Sequence, residues 1–195
     1  MPHLLNVWPA ISRQLQSTQR LLLLFDYDGT LTPIVPRPQD AYLPSHVRQL
    51  LVDISRNKKY VVGIVTGRSV SDLNSLVSIQ GLIYAGNHGL EINGLGIQFE
   101  HPGVKLLADA LDETQRLLHD ALSDVPALTV EHKGMSLTVH FRGTPDSYNA
   151  SIDEIVVDVA LPFVERGQLK ITRGKKVVEV RPNLDWDKGK AISMI

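Results

Sequence analysis

The chain of 195 residues contains no cysteine and no long apolar run. Without cysteine it can form neither disulfides nor thiolate metal sites. Its apolar segments fall short of the roughly 20 residues that a membrane-spanning helix needs, and residues 1–8 lack the pattern of a secretory signal. The formal net charge of −1 at pH 7 gives no reason to expect nucleic acid or an anionic membrane as a partner. These absences predict a cytoplasmic protein that binds neither nucleic acid nor membrane, and they leave its oligomeric state open.

One apolar segment, Leu21 to Phe25, leads directly into Asp26 and Asp28. A continuous apolar run that ends at a turn signal is typical of a strand buried on both faces. Buried carboxylates without partners are costly, and ligands bind at the carboxyl ends of strands in open α/β sheets, so the pair favours a functional site. An Asp-rich turn around Gly29 explains the same residues without any function. From this segment alone the two interpretations stay open.

Strands and helices alternate over the first 90 residues. The spacing of apolar residues predicts helices over 3–19, from Ser45 as an N-cap, and after Thr66. Strands are predicted at 21–26, 60–65 and 81–85. This alternation indicates a parallel, doubly wound α/β sheet, in which right-handed crossovers bring the three strand ends to one edge.

The order of elements changes after residue 90. Segments 90–93 and 97–100 predict a hairpin, and the following residues predict a helix, two strands, a helix and two strands. Such an order is typical of an α+β unit with an antiparallel sheet. We therefore assign residues 1–93 to the first part of an α/β core, 94–181 to an inserted α+β domain, and 182–195 to a return to the core.

Polar residues also follow the second and third predicted strands. Thr66, Gly67 and Arg68 stand where a strand ends and a helix begins, and there a hydroxyl and backbone N–H groups can hold a phosphate oxygen. Thr66 would suit the role of an ordinary N-cap equally well. Asn87 and His88 follow the third strand, and a lone histidine in such a place is more often structural than a ligand.

Three segments resemble the motifs of the haloacid dehalogenase-like (HAD) phosphatases. Asp26-Tyr-Asp-Gly-Thr-Leu31 resembles the first motif, Thr66-Gly67-Arg68 the second, and Lys188 the third. An isolated lysine is usually solvated, so Lys188 owes its assignment to this resemblance. Within the superfamily the chain is similar to the trehalose-6-phosphate phosphatases over nearly its whole length. The further matches are Gly86-Asn-His-Gly-Leu-Glu91, Glu131-His-Lys-Gly-Met-Ser136, His140-Phe-Arg142 and Val178-Glu-Val-Arg-Pro182.

The resemblance implies a HAD-like core with an inserted αββαββ cap domain. It also implies hydrolysis of trehalose 6-phosphate to trehalose and phosphate through an aspartyl-phosphate intermediate. Asp26 would be the nucleophile and Asp28 the general acid and base, and both would bind Mg²⁺, which prefers oxygen ligands. Lys188 would neutralise the nucleophile and the phosphate.

The resemblance further implies a set of substrate-binding residues. Thr66, Gly67 and Arg68 would bind the phosphate, Asn87 and His88 would contact the substrate, and Glu131, Lys133 and Glu179 would hydrogen-bond the distal sugar. The alternative for Glu131, Lys133 and Glu179 is that they are ordinary charged residues on the solvent-exposed face of a sheet and have no function in binding. The alternatives are a phosphatase for another sugar phosphate and a truncated, non-catalytic sugar-phosphate-binding module.

The family pattern contains a fourth motif, a Gly-Asp-Asp-like segment that completes the Mg²⁺ site. It should follow Lys188 by one helix and one strand, and no such segment occurs up to Ile195. We therefore expect either a fragment of a longer protein or a shortened relative, with one carboxylate absent from the metal site.

Overall fold

The first of two sheets contains five strands in the order β1–β2–β3–β4–β5. A computed structural model describes residues 3–35 and 37–195. The strands are β1 Leu21–Phe25, β2 Tyr60–Val65, β3 Ile83–Gly86, β4 Glu91–Gly94 and β5 Ile97–Glu100. Strands β1, β2 and β3 pair in parallel, whereas β4 and β5 continue the sheet as an antiparallel hairpin.

Two of the first three helices connect the parallel strands and cover one face of this sheet. The helices are α1 Leu4–Ser17, α2 Ser45–Arg56 and α3 Val70–Val77. Apolar side chains of α2 and α3, such as Leu51 and Leu73, are buried in one cluster with Ile64 of β2. The prediction of Ser45 as an N-cap is wrong, because Pro44 takes that position and Ser45 is the first residue inside the helix.

The second sheet is antiparallel throughout and has the order β6–β7–β9–β8. Its elements are α4 Ala108–Ala121, β6 Thr129–His132, β7 Leu137–His140, α5 Asn149–Glu165, β8 Leu169–Gly174 and β9 Val177–Pro182. Leu111 of α4 and Ile152 of α5 are fully buried against one face of the sheet. Glu131, Thr138 and Glu179 are register partners across β6, β7 and β9 and line the cavity on its other face. This is the predicted αββαββ order, and we call the unit the cap.

The chain returns from the cap to the first sheet through α6, Lys188–Ile192. Ala191 of α6 is buried with Val65, Ile83 and Ile92, on the face opposite α2 and α3. Helices therefore cover both faces of the parallel strands, as an α/β core requires. Among the residues that the structure describes, no helix is long and apolar enough to cross a membrane.

The division of the chain into 1–93, 94–181 and 182–195 stays a prediction. Because β5 is hydrogen-bonded to β4, a boundary at residue 93 would cut this hairpin. The hairpin favours a proposed boundary after Glu100, with the return to the core after Pro182, where β9 ends.

Candidate active site

The predicted polar motifs follow β1, β2 and β3, whose carboxyl ends lie side by side. Backbone hydrogen bonds join the segments after β2 and β3. The Asn87 N–H donates to Arg68 O over 2.7 Å, and the His88 N–H donates to Thr66 O over 2.9 Å. The fold therefore gathers the core motifs at one edge of the sheet, as right-handed crossovers predict.

A tight turn after β1 presents the two aspartates. Gly29 adopts φ +83°, a left-handed conformation that side chains with a Cβ rarely accept. Tyr27, between the aspartates, is fully buried, and its hydroxyl donates to Ala41 O over 2.7 Å. The side chains of Asp26 and Asp28 remain 47% and 43% exposed. The turn thus keeps the tyrosine in the core while both carboxylates reach the site.

Asp26 is paired with Lys188, although 162 residues separate them in the chain. Lys188 Nζ donates to Asp26 Oδ1 over 2.6 Å from the first residue of α6. Asp26 Oδ2 accepts no hydrogen bond from the described residues. The Lys188 ammonium offsets the negative charge of the Asp26 carboxylate. A carboxylate that acts as a nucleophile on a phosphate ester needs this, because the ester is also negatively charged.

Asp28 is held by the guanidinium of Arg68. Nε donates to Asp28 Oδ2 over 2.9 Å and Nη2 donates to Oδ1 over 2.7 Å, a bidentate pair. Arg68 also donates to Asp72 Oδ2 over 2.8 Å and to Pro38 O over 2.9 Å. Burial alone would lower the pKa of the Arg68 guanidinium, but the two carboxylates raise it above its ordinary value. Arg68 therefore stays charged and fixes the orientation of Asp28.

Thr66 does not cap the helix that follows it. Ser69 is the N-cap of α3, and its hydroxyl accepts from the Asp72 N–H over 3.1 Å. The N-cap interpretation of Thr66 is wrong, because Thr66 lies three residues before the helix cap. Its buried hydroxyl instead accepts from the Arg68 N–H over 3.2 Å and shapes the loop. A contact between Thr66 and phosphate stays a prediction.

Asn87 is buried between the core and the cap and is only 1% exposed. Its Nδ2 donates to Glu91 Oε1 over 2.7 Å and to Lys133 O over 3.2 Å. Its Oδ1 accepts from Ser136 Oγ over 3.2 Å. Because an amide nitrogen has two N–H donors, both donors are already in use. This favours a role for Asn87 in holding the cap, rather than the predicted contact with substrate.

His88 meets a charged cluster on the cap. Its Nε2 lies 3.3 Å from Glu179 Oε2, an ion-pair distance whose geometry does not make a hydrogen bond. Lys133 Nζ lies 3.7 Å from Glu179 Oε1, and Arg181 Nη1 lies 3.9 Å from Oε2. Burial alone would raise the pKa of the Glu179 carboxyl, but these three neighbours outweigh burial and lower it to about 2. Glu179 is therefore anionic at neutral pH.

Glu131 pairs with a residue to which the sequence assigned no role. His140 on β7 lies with Nε2 2.7 Å from Glu131 Oε2, which lowers the pKa of the Glu131 carboxyl from its usual range. The two residues project from neighbouring strands onto the face of the cap that meets the core. Polar and apolar residues alternate along β6 and β7, which places Glu131 and His140 on the same face of the sheet. This alternation was the sequence signal that could have indicated their contact.

A cavity of about 680 Å³ lies between the core and the cap. This volume is typical of sites for small molecules. The cavity joins carboxylates and cations from both units, so a polar ligand could contact the core and the cap together. Six predicted residues line it: Asp28, Gly67, Arg68, Glu131, Lys133 and Glu179.

Comparison with known proteins identifies the family. The model of the trehalose-phosphatase family matches residues 24–195. The chain belongs to the trehalose-phosphatase family. The predicted resemblance is thereby confirmed.

Two members of the family illustrate the extent of the similarity. Trehalose-phosphate phosphatase B of Arabidopsis thaliana is 30% identical over 204 residues, which cover all of this chain and 53% of that protein. Probable trehalose-phosphate phosphatase C of the same plant is 32% identical over 203 residues, which cover all of this chain and 61% of its own length. The chain thus spans less than two thirds of these curated relatives.

Solved structures show the same fold. The C-terminal domain of a trehalose-6-phosphate phosphatase from C. albicans matches with a TM-score of 0.81 at 24% identity, over 95% of this chain and 64% of that one. A haloacid dehalogenase-like hydrolase from Bacteroides thetaiotaomicron matches with a TM-score of 0.58 at 16% identity, over 90% of this chain and 75% of that one. The prediction of a HAD-like α/β core with an inserted α+β cap is confirmed.

Several residues in and around this candidate site were not predicted. Asp72 shares Arg68 with Asp28. Arg68 lies in the loop before α3 and Asp72 in the first turn of that helix, so their separation of four residues was the usable signal. Glu91 accepts from both Asn87 and the Val70 N–H at the start of α3. No sequence pattern indicated the two hydrogen bonds to Glu91, because they depend on the packing of β4 against α3.

Proposed function

We propose that the chain hydrolyses trehalose 6-phosphate to trehalose and phosphate. Membership in the family supports this proposal, and one structural observation carries it. The cavity is bordered by Asp28 and Arg68 on the core and by Glu131 and Glu179 on the cap. A phosphate bound at the core would therefore leave its sugar against the polar face of the cap.

The core residues suit phosphoryl transfer through a covalent intermediate. Asp26 Oδ2 would attack phosphorus, while Lys188 at Oδ1 would hold the carboxylate in position and offset its charge. The P–O bond to the sugar would break as Asp28 gives a proton to the departing oxygen. Asp28 would then take a proton from the water that attacks the aspartyl phosphate. Because Arg68 occupies both oxygens of Asp28, we propose that the incoming phosphate takes over one of these bonds.

The residues after β1 also fit a Mg²⁺ ion. Mg²⁺ prefers one or two carboxylates and fills its remaining positions with water and phosphate oxygens. The other oxygen of the Asp26 carboxylate, Oδ1, and the main-chain carbonyl of Asp28 would supply the protein oxygens, since Oδ2 is the attacking atom and the Asp28 carboxylate is held by Arg68. No group of three or more acidic or histidine residues suited to a metal occurs in 3–35 and 37–195. The ion would reduce the repulsion between the nucleophile and an anionic ester.

The cap residues suit recognition of a polyol. Glu131 and Glu179 project from strands of the cap sheet, and Lys133 directly follows β6. Together they offer both acceptors and a donor to sugar hydroxyls. Their present partners, such as His140 beside Glu131, hold them in fixed orientations. The predicted cytoplasmic location and the absence of nucleic-acid and membrane partners stay predictions.

Phosphate release from a panel of sugar phosphates, with and without Mg²⁺, tests the proposal. We expect turnover of trehalose 6-phosphate to exceed that of glucose 6-phosphate and to require Mg²⁺. Asp26→Asn should abolish turnover with an unchanged circular dichroism spectrum. Equal rates on both substrates would indicate a phosphatase for another sugar phosphate. Calorimetric binding without any turnover would indicate a non-catalytic module.

A second variant tests the role of the cap. Glu131→Ala should reduce turnover of trehalose 6-phosphate by about tenfold to a hundredfold, because a site built for hydroxyl groups loses an acceptor. Turnover of p-nitrophenyl phosphate, which has no sugar, should change by less than about twofold. Equal losses on both substrates would contradict a role for Glu131 in sugar recognition.

A further inference from the structure

Trp186 connects the segment before α6 to the loop after β3. Its indole Nε1–H donates to Gly89 O over 2.8 Å. Its ring packs against Phe99 and His101, with ring centroids 5.4 Å and 5.0 Å away. The indole is thus fixed by the main chain on one side and by aromatic side chains of the β4–β5 hairpin on the other.

Gly89 also contacts α6 on the far side of Lys188. A Cβ at position 89 would lie 2.3 Å from the Cβ of Ala191, so only glycine permits this approach. Trp186 and Ala191 lie two residues before and three residues after Lys188 and both meet the same glycine. Lys188 is therefore held between two contacts with one point of the core.

That point is itself rigid. Asn87, His88 and Gly89 have φ values of 48°, 58° and 90°, a run of left-handed conformations that persists only where the surroundings hold it. The backbone N–H groups of Asn87 and His88 are bonded to the carbonyls of residues 68 and 66. Gly89 is therefore fixed relative to the loop that we expect to bind phosphate.

We propose that Trp186 is a positioning residue, which acts through Gly89 to hold Lys188 Nζ against Asp26. Lys188 is the first residue of helix α6, and it places its amine 2.6 Å from the Asp26 carboxylate in the turn after β1. The hydrogen bond from the Trp186 indole to Gly89 O lies two residues before Lys188 and ties this segment to the core. The catalytic consequence rests on the proposed phosphatase function, whereas the placement of Lys188 does not.

Chemical labelling of lysines measures this placement without any turnover. The protein is treated briefly with acetic anhydride, and the labelling rate of Lys188 is compared with that of exposed Lys58 by mass spectrometry. Trp186→Phe keeps an aromatic ring in the packing site but removes the N–H donor. Loss of one neutral hydrogen bond shifts an equilibrium by roughly threefold to tenfold, so we expect the relative labelling of Lys188 to rise by about that factor.

Trp8, on the exposed side of α1, supplies the matched control. Trp8→Phe should leave the labelling of Lys188 unchanged. An unchanged rate in Trp186→Phe would overturn the proposal. A rise shared by Lys58 would overturn it as well, because it would report general loosening and not a change at Lys188.

Turnover supplies a second readout once phosphatase activity is established. Trp186→Phe should lower kcat by roughly threefold to tenfold with little change in KM, because the residue contacts Gly89 and not the cavity. In a Lys188→Arg background the same substitution should have a much smaller effect, since the lysine through which it acts is gone. Full and independent effects of both substitutions would contradict the proposal. Inactivity of the parent protein would contradict the proposed function and leave the labelling result to decide the placement.

Discussion

Replacing Glu179 by glutamine removes one negative charge from the contact between cap and core and keeps the size of the side chain. Glu179 is 18% exposed and lies within 4 Å of three basic side chains, those of His88, Lys133 and Arg181. In the variant Lys133 and Arg181 would lie beside a neutral amide in place of an anion. We therefore expect Glu179→Gln to destabilise the folded protein at neutral pH.

The pKa of Glu179 sets the size of this effect. Folding lowers it from an ordinary 4.5 to about 2. A carboxyl with this change contributes about 3 kcal/mol to the free energy of unfolding at pH 7. Because the folded pKa is the lower one, the contribution is complete above pH 4.5 and is lost as the pH falls towards 2.

Urea unfolding of both proteins between pH 7 and pH 2.5 measures the prediction. The difference in unfolding free energy should be about 3 kcal/mol at pH 7 and should shrink steadily below about pH 5. The exposed Glu113 on α4 supplies a control, and Glu113→Gln should change stability by less than about 0.5 kcal/mol. A loss in Glu179→Gln that does not depend on pH would refute the charge argument and point to packing instead.

Two further substitutions test the turn after β1 and its arginine. Arg68→Lys replaces a guanidinium that donates to Asp28, Asp72 and Pro38 O by a single ammonium. Urea unfolding should show that the free energy of unfolding falls by about 1–3 kcal/mol. The loss stays moderate because water can replace the arginine at the Asp28 and Asp72 carboxylates. A loss below about 0.5 kcal/mol would contradict the network. Tyr27→Phe leaves the buried carbonyl of Ala41 without its donor and should lower the free energy of unfolding by about 1–2 kcal/mol. An unchanged unfolding midpoint would show that this hydrogen bond contributes nothing to stability.

Much of the fold could be predicted from apolar patterns. Strand β2 spans residues 60–65 as predicted, because a run of apolar residues between polar ones admits little variation. The ends of other elements differ from the prediction, because the residues that flank an element decide where it begins and ends. Ser45 lies inside α2 because Pro44 can take the cap position, and residues 102–107 form a tighter helix directly before α4 begins.

The sequence indicated candidate site residues but not their contacts. The resemblance to the family motifs singled out Asp26 and Lys188, and the structure places them 2.6 Å apart. The sequence could not show that Asn87 has both amide donors occupied, since one of these contacts, with Lys133 O, joins residues 46 positions apart across two units. Nor could it show the role of Trp186, whose partner Gly89 lies 97 residues earlier. Pairs at such separations are set by tertiary packing and leave no local pattern.

The cap meets the core through contacts of unequal strength on the two sides of the cavity. On one side, Asn87 is buried and bonded to Lys133 O and to Ser136 Oγ. On the other, the exposed Arg142 donates a hydrogen bond to Val35 O. Water can replace an exposed hydrogen bond at little cost, whereas buried polar groups lose more when separated. Separating the cap from the core would therefore cost less free energy beside Arg142 than beside Asn87.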